Sequence, residues 1–195
     1  MMRGHAKSRR RGTPAVPPVW LMTDERVAQS DLLRALARLP AGSAVVVRHY
    51  SLPEAERRAL FARVSRAARR RGLLVLLAGD PALARRWGAD GHHGPDGARP
   101  DGRPWLHSAP VHDMAQLRQA RAVGAQALLL SPLFATRSHP GAGPLGAARF
   151  AALARRVDVP VIALGGVKPR HAALVRRLGA AGYAAIDGLL PRRRS

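Results

Sequence analysis

The chain contains no cysteine. That excludes disulfides, cysteine-ligated zinc, iron–sulfur clusters and thiol nucleophiles. Aromatic residues are scarce, at 4%, so a core must be assembled from Leu, Val and Ala. Carboxylates are few as well: 12 Asp and Glu stand against 33 Lys and Arg, a formal net charge of +21. No apolar run approaches the roughly 20 residues that cross a bilayer. No apolar segment of the secretory type opens the chain. The expectation is a cytoplasmic protein with no membrane partner.

What is present is a 195-residue chain that is 47% hydrophobic. This suffices for one domain with a real core and is too apolar for a disordered chain. The charge on its own would suit nucleic acid or an anionic surface. Two plainer causes compete with that reading. Arg is favoured over Lys and spread along nearly every helical stretch, and a basic chain also suits an enzyme whose ligands are phosphates. No run interleaves aromatics with basic residues as single-strand binders do. Small phosphorylated substrates are therefore the expected partners, and nucleic acid is not the main one. Nothing in the sequence points to an oligomeric state.

Residues 1–18 read as a disordered basic arm, with Arg9-Arg10-Arg11 and no periodicity. An alternation of short apolar runs and helical patterns then occupies residues 19–190, and a basic tail closes the chain at 191–195. The runs are Val19–Met22, Ala44–Val47, Leu73–Leu77, Ala89–His93, Pro104–His107, Ala127–Leu130, Pro160–Leu164 and Tyr183–Ile186. Helices are predicted over Gln29–Leu39, with Ser30 or Asp31 as cap, and from a Ser51 cap to Arg71. Others are predicted over Pro81–Trp87, Asp113–Val123, Gly146–Val157 and Lys168–Leu178. The helix after the fourth run is missing or vestigial. Continuous apolar runs are the mark of parallel strands buried on both faces. Eight such units predict a compact, single-domain α/β fold, the (β/α)8 TIM barrel. An open doubly wound sheet fits the same alternation.

In a barrel the site is built from strand carboxyl ends. Those ends carry Asp24, Arg48, Asp80, His93, His107 or Ser108, Ser131 with Thr136, Gly165-Gly166 and Asp187. The stretch from Gln126 to Gly146 is the most suggestive: a buried run empties into a loop of small hydroxyl, Gly and Pro residues holding Arg137 and His139. Thr136, Ser138 and the loop amides suit a phosphate, and Arg137 and His139 supply charge. An ordinary surface loop would read the same way on this stretch alone. Gly165-Gly166 lets backbone approach a phosphate, with a helix start near Lys168 adding its positive dipole end.

SPLFATRSHPG, followed by PVIALGGV and GAAGYAAIDGL, resembles thiamine phosphate synthase and its relative the thiazole tautomerase. WLMTD, GADGHH and HDMAQL lie upstream and support it. The resemblance implies a (β/α)8 barrel that joins a pyrimidine pyrophosphate to a thiazole phosphate, with Mg²⁺ assisting pyrophosphate departure. The family's thiazole-phosphate loop falls on Thr136, Arg137 and Ser138, and its following Lys on His139. Its phosphate-binding glycine falls on Gly166, and its last phosphate contacts on Ile186 and Asp187. Its Gln-x-Arg-x-Lys clamp falls on Val46, Arg48 and Tyr50, so only the Arg remains. One metal-type Asp is kept as Asp80, and Asp96 is nearest to the second. The serine after the fifth strand falls on Pro110 or, with a shift, Ser108. The tautomerase relative uses a histidine as acid and base, which falls on His112. The resemblance thus implies a transferase of thiamine biosynthesis. Its alternatives are an isomerase acting through His112 and a non-catalytic barrel that binds a phosphorylated ligand.

Overall fold

The structure is a computed structural model that describes residues 15–97, 104–136 and 143–191. Its elements in order are β1 (Val19–Met22), α1 (Gln29–Arg38), β2 (Ala44–Val47), α2 (Glu54–Arg69), β3 (Leu74–Ala78), α3 (Pro81–Arg86) and β4 (Gly91–His93). There follow β5 (Leu106–Val111), α4 (Met114–Ala122), β6 (Ala127–Leu130), α5 (Gly146–Ala154), β7 (Val161–Ala163), α6 (Ala172–Arg177) and β8 (Gly182–Ala185). Every strand pairs in parallel with its successor, and β8 pairs with β1. The sheet is therefore a closed eight-stranded barrel, and the β1–β8 pairing rules out the open doubly wound sheet.

Alternation along the strands divides the core. Trp20, Met22, Val46, Leu76, Leu106, Leu129 and Ile162 point inward and fill the barrel. Their neighbours Leu21, Val45, Val75 and Leu77, and on the far side Leu128 and Leu130, point outward onto the helices. Both faces are apolar, so the strands read as unbroken hydrophobic runs. Trp20 is the bulkiest inward side chain, and its indole N–H donates to the Pro17 carbonyl at 2.6 Å.

No helix lies between β4 and β5 among the described residues, as the sequence predicts. A stack of rings covers the outer wall there. His92 stacks on His107 with centroids 4.1 Å apart, and on Trp105 at 5.8 Å. Trp105 Nε1–H donates to His92 Nδ1 at 3.0 Å, which leaves the ring proton of neutral His92 on Nε2, 2.7 Å from the Asp96 carbonyl. His107 Nε2 reaches the Gly94 carbonyl at 3.0 Å. The two imidazoles thus fasten the segment after β4 where a helix would otherwise hold it.

Several predicted boundaries shift. Helix α1 has Ala28, not Ser30 or Asp31, at its cap, and Asp31 pairs with Arg34. Ser51 does not cap α2; Pro53 occupies that position, and Ser51 binds the Glu25 carboxylate with both its amide and its hydroxyl. Strand β5 runs to Val111 rather than stopping at His107. Pro110 reads as a breaker because it lacks a ladder N–H, yet it sits in register with Leu129.

Residues 1–14 of the predicted arm and 192–195 of the tail lie outside the described residues. The arm's last residues are built into the barrel: Val16 packs on the inner cluster, and the Pro18 carbonyl accepts from Tyr183 N at 2.9 Å. No helix among the described residues is long and apolar enough to cross a membrane.

Candidate active site

The carboxyl ends of the strands open on a cavity of about 770 Å³. Arg48, after β2, stands across the barrel from Thr136, after β6; His112, after β5, flanks Thr136 on one side, and Gly165 and Gly166, after β7, on the other. Ile186 and Asp187 form another wall. The sequence-predicted residues after β2, β5, β6, β7 and β8 thus converge on one space, and the volume is in the range of small-molecule sites.

Arg48 is anchored at the base of this wall. Its Nε donates to the Thr23 carbonyl at 2.6 Å and its NH2 group to Asp24 Oδ2 at 2.9 Å. The Arg26 guanidinium holds the Asp24 carboxyl below its ordinary range, and the charges of Arg26 and Arg48 act in the same direction against burial. Arg57, from α2, braces the strand ends behind. It donates to the Arg48 carbonyl at 2.8 Å and the Ala78 carbonyl at 2.6 Å, and its guanidinium lies 5.3 Å from the Tyr50 ring. Arg57→Met keeps the stem and deletes both donors. Two carbonyls then lose a partner, and urea denaturation is expected to show a loss of about 2–4 kcal/mol. A change below about 0.5 kcal/mol would mean that water replaces the guanidinium without penalty.

The loop after β6 is pressed against the loop after β7. Leu133 N donates to the Leu164 carbonyl at 2.8 Å, and Phe134 N to the Gly165 carbonyl at 3.0 Å. Both glycines have positive φ, 91° and 63°. A Cβ on Gly165 would lie 2.6 Å from Pro132 Cα, and one on Gly166 would lie 2.6 Å from the Ala135 carbonyl oxygen. This close approach requires the glycine pair whether or not a phosphate is bound. Lys168, Arg170 and Arg149 add cationic side chains to the cavity wall. The His171 ring accepts from Lys168 N at 3.2 Å through Nδ1, and burial, with the charges of Arg170 and Lys168, lowers its pKa.

His112 lies 2.9 Å through Nδ1 from the Ser131 carbonyl. A carbonyl only accepts, so Nδ1 carries the proton and Nε2 the lone pair of the neutral ring. Its backbone N–H is held by Gln116 Oε1 at 2.9 Å, on the first turn of α4. Asp113 caps that helix through Gln116 N, as the sequence predicts.

Residues 19–189 match the family model described as thiamine monophosphate synthase. The chain belongs to this family. It is 31% identical over 184 residues to the thiamine-phosphate synthase of Roseiflexus castenholzii, covering 88% of this chain and 80% of that one. It is 34% identical over 177 residues to the thiamine biosynthesis bifunctional protein ThiM/ThiE of Symbiobacterium thermophilum, covering 82% of this chain. The match spans only 35% of that longer protein. In fold it is similar to the thiamine phosphate pyrophosphorylase of Pyrococcus furiosus, with a TM-score of 0.70 and 21% identity over 86% of this chain and 84% of that one.

Arg137, Ser138 and His139, on which the resemblance places a phosphate loop, lie outside the described residues. Ser108 is placed differently from its expected role. It is buried inside the barrel, 3.0 Å from His93 Nδ1, and does not line the cavity. Its register on β5 points it at the interior rather than the mouth, so it cannot touch substrate as placed. His93, beside it, is pushed down to about 3 by burial, with Arg48 and the two neighbouring histidines adding to the shift. Asp80 and Asp96 also lie off this cavity. Asp80 caps α3 through Ala82 N at 2.8 Å, a role the sequence reading did not foresee. Asp80 follows β3 and Asp96 follows its neighbour β4, and the charges of both favour the charged form of His92. Among the described residues no group of three or more His, Asp or Glu gathers. Two carboxylates completed by water and substrate phosphate are nevertheless a donor set that fits Mg²⁺.

Lys168, Arg149, Arg170 and Arg57 were not singled out from the sequence. Lys168 follows Gly166 by two residues, which is a usable signal. The others carry none in a chain with this much arginine.

Proposed function

We propose that this protein joins a hydroxymethylpyrimidine pyrophosphate to a thiazole phosphate and releases pyrophosphate. The observation that carries the reading is that one cavity holds an anchored Arg48 on one side and Thr136, the glycine-pair backbone and Lys168 on the other. Two phosphorylated molecules need two separate cationic ends around one reacting centre.

The Thr136 hydroxyl and the backbone at Gly166 hold the acceptor phosphate, and Lys168 supplies the charge that a lysine in the loop would otherwise give. Asp187 is the one acid on this wall. It is close enough to Arg26 to favour that cation, which partly offsets the repulsion it offers a phosphate. Arg48 faces the donor pyrophosphate and stabilises charge as the carbon–oxygen bond breaks. The pyrophosphate leaves with that electron pair, and the thiazole nitrogen lone pair forms the new bond to the pyrimidine methylene carbon. Asp80 and Asp96 would hold Mg²⁺, which supplies neutralisation of the leaving pyrophosphate.

Purified protein with both substrates and Mg²⁺ is expected to form thiamine phosphate. Arg48→Ala is expected to lower kcat by about 100-fold or more. Thr136→Ala is expected to act mainly on the KM for thiazole phosphate. Folded protein that forms no product rejects the reading.

One observation favours a second reading, an isomerase of the tautomerase type. His112 lines the cavity with its tautomer set by Ser131, as an acid/base histidine requires. His112→Gln is expected to abolish thiazole isomerisation without pyrimidine substrate, if that is the chemistry. Under the first reading it leaves synthesis within a few-fold of normal.

A further inference from the structure

The carboxylates of this barrel gather at one end, while cations stand at both. Carboxylates gather at the mouth: Asp24 and Glu25 after β1, Asp31, Glu54 and Glu56 in the first turns of α1 and α2, and Asp80 and Asp113 as caps. At the opposite end, where the helices finish and the strands begin, arginines take over. Arg38 closes α1, Arg69, Arg70 and Arg71 close α2, and Arg121 closes α4. Arg155 and Arg156 follow α5, and Arg176 and Arg177 close α6. All nine are exposed.

The carboxylates among the described residues at that end are Asp90, which accepts from Val75 N at 2.8 Å, and Asp158. Helix dipoles favour one cation in each last turn and are worth at most about 1 kcal/mol per exposed site. They do not call for pairs and triplets. The basic arm joins the barrel here as well, since the Pro17 and Pro18 carbonyls bind at the start of β1 and β8.

We propose that this arginine-rimmed end is a docking face for the phosphate backbone of nucleic acid, read without regard to sequence. Three observations choose that partner. Only two of the 33 cationic side chains are lysines, and the planar guanidinium matches phosphate oxygens in pairs. Among the described residues the one large apolar side chain that is exposed, Tyr50, lies at the mouth. A membrane-seeking face needs large apolar side chains to insert, and the described residues of this end expose none. No aromatic platform accompanies the arginines, so bases are not stacked and the contact is to backbone. The face lies away from the cavity, and docking there leaves the reaction at the mouth untouched.

The test uses the full chain and a mixed-sequence duplex DNA of about 30 base pairs, followed by fluorescence anisotropy from about 50 to about 300 mM KCl. Log affinity is expected to fall linearly with log salt, with a slope of about −4 or steeper. Reversing Arg155, Arg156, Arg176 and Arg177 to Glu is expected to weaken binding by about 100-fold at the lower salt and to flatten the slope by about 3 units. Reversing Arg34, Arg58, Arg63 and Arg118 changes net charge equally but away from this face, and is expected to cost less than tenfold. Equal losses from the two sets would overturn the proposal, because binding would then follow net charge. So would full binding by the first set, or binding that vanishes when residues 2–14 alone are deleted. Vesicles of phosphatidylglycerol that bind more tightly than DNA, through the same four arginines, would reassign the face to membranes and overturn it too. If the fourfold variant does not fold, Arg176→Glu with Arg177→Glu carries the same comparison. Activity of every folded variant reports on the mouth alone.

Discussion

Acidification from pH 7 to about 4.5 is expected to destabilise this protein steeply, before its carboxylates begin to titrate. The cause is histidine burial. His93 is held at about 3 inside the barrel, and burial also lowers His49 and His92. In the unfolded chain each would titrate near 6.5. Above that value neither state holds the proton, and the stability is fully present. As pH falls below it the unfolded chain gains protons that the fold refuses, so stability is lost. His93 alone should cost about 1.4 kcal/mol for each pH unit below about 6, and the slope should persist to about pH 3. Urea titrations at half-unit intervals measure it. His93→Gln keeps a partner for Ser108 and cannot titrate there, so its slope should be smaller by about one proton. A stability flat between pH 7 and 4.5 would show that the imidazoles are hydrated or charged in the fold.

Gly165→Ala is expected to be strongly destabilising. The residue sits at a φ of 91°, which costs an L side chain about 1–2 kcal/mol. The new Cβ would also stand 2.6 Å from both Pro132 Cα and Pro132 Cβ. Backbone and a ring carbon cannot swing aside as a flexible side-chain tip can, so the loop after β6 must move. A total loss of about 3 kcal/mol, or about 6–12 °C in Tm for a chain of this size, is the expected result. Because that loop carries Thr136, the KM for the phosphorylated acceptor should rise further than stability alone explains. Gly143→Ala is the control: a Cβ there meets nothing within 4 Å and should be nearly neutral. Equal behaviour of the two variants would show that the contact between the loops is not what the glycine serves.

The barrel was legible because its signals are repeated. Eight apolar runs with helical patterns between them leave two topologies, a closed barrel and an open doubly wound sheet, and the pairing of β1 with β8 decides between them. Local errors came from residues with two uses. Ser51 has a good capping sequence but is engaged by Glu25 from the loop after β1, a contact between distant positions that no window of sequence contains. The fifth strand was read as ending at His107, while the ladder continues through Pro110 in register with Leu129. Within the site, Arg48, Thr136 and the glycine pair were legible as strand-end residues, and His112 only through the family resemblance. Arg57 was not, since Arg58, Arg63 and Arg66 on the same helix look identical in sequence and only its burial sets it apart. Asp80 shows the converse: its place at a strand end was legible, and the bond that its Oδ1 accepts from the Ala82 amide was not.

The three residues before β1 matter for where this protein can be cut. Pro17 supplies the acceptor for the indole at the barrel floor, and Pro18 completes the first rung beside Tyr183. A shortened version that starts at Val19 would keep every strand and helix and still open a hole under the wall. One that starts at residue 15 keeps both of these carbonyls. The mechanical edge of the domain therefore falls ahead of its first strand, and a trimming series should show its break in yield and melting there.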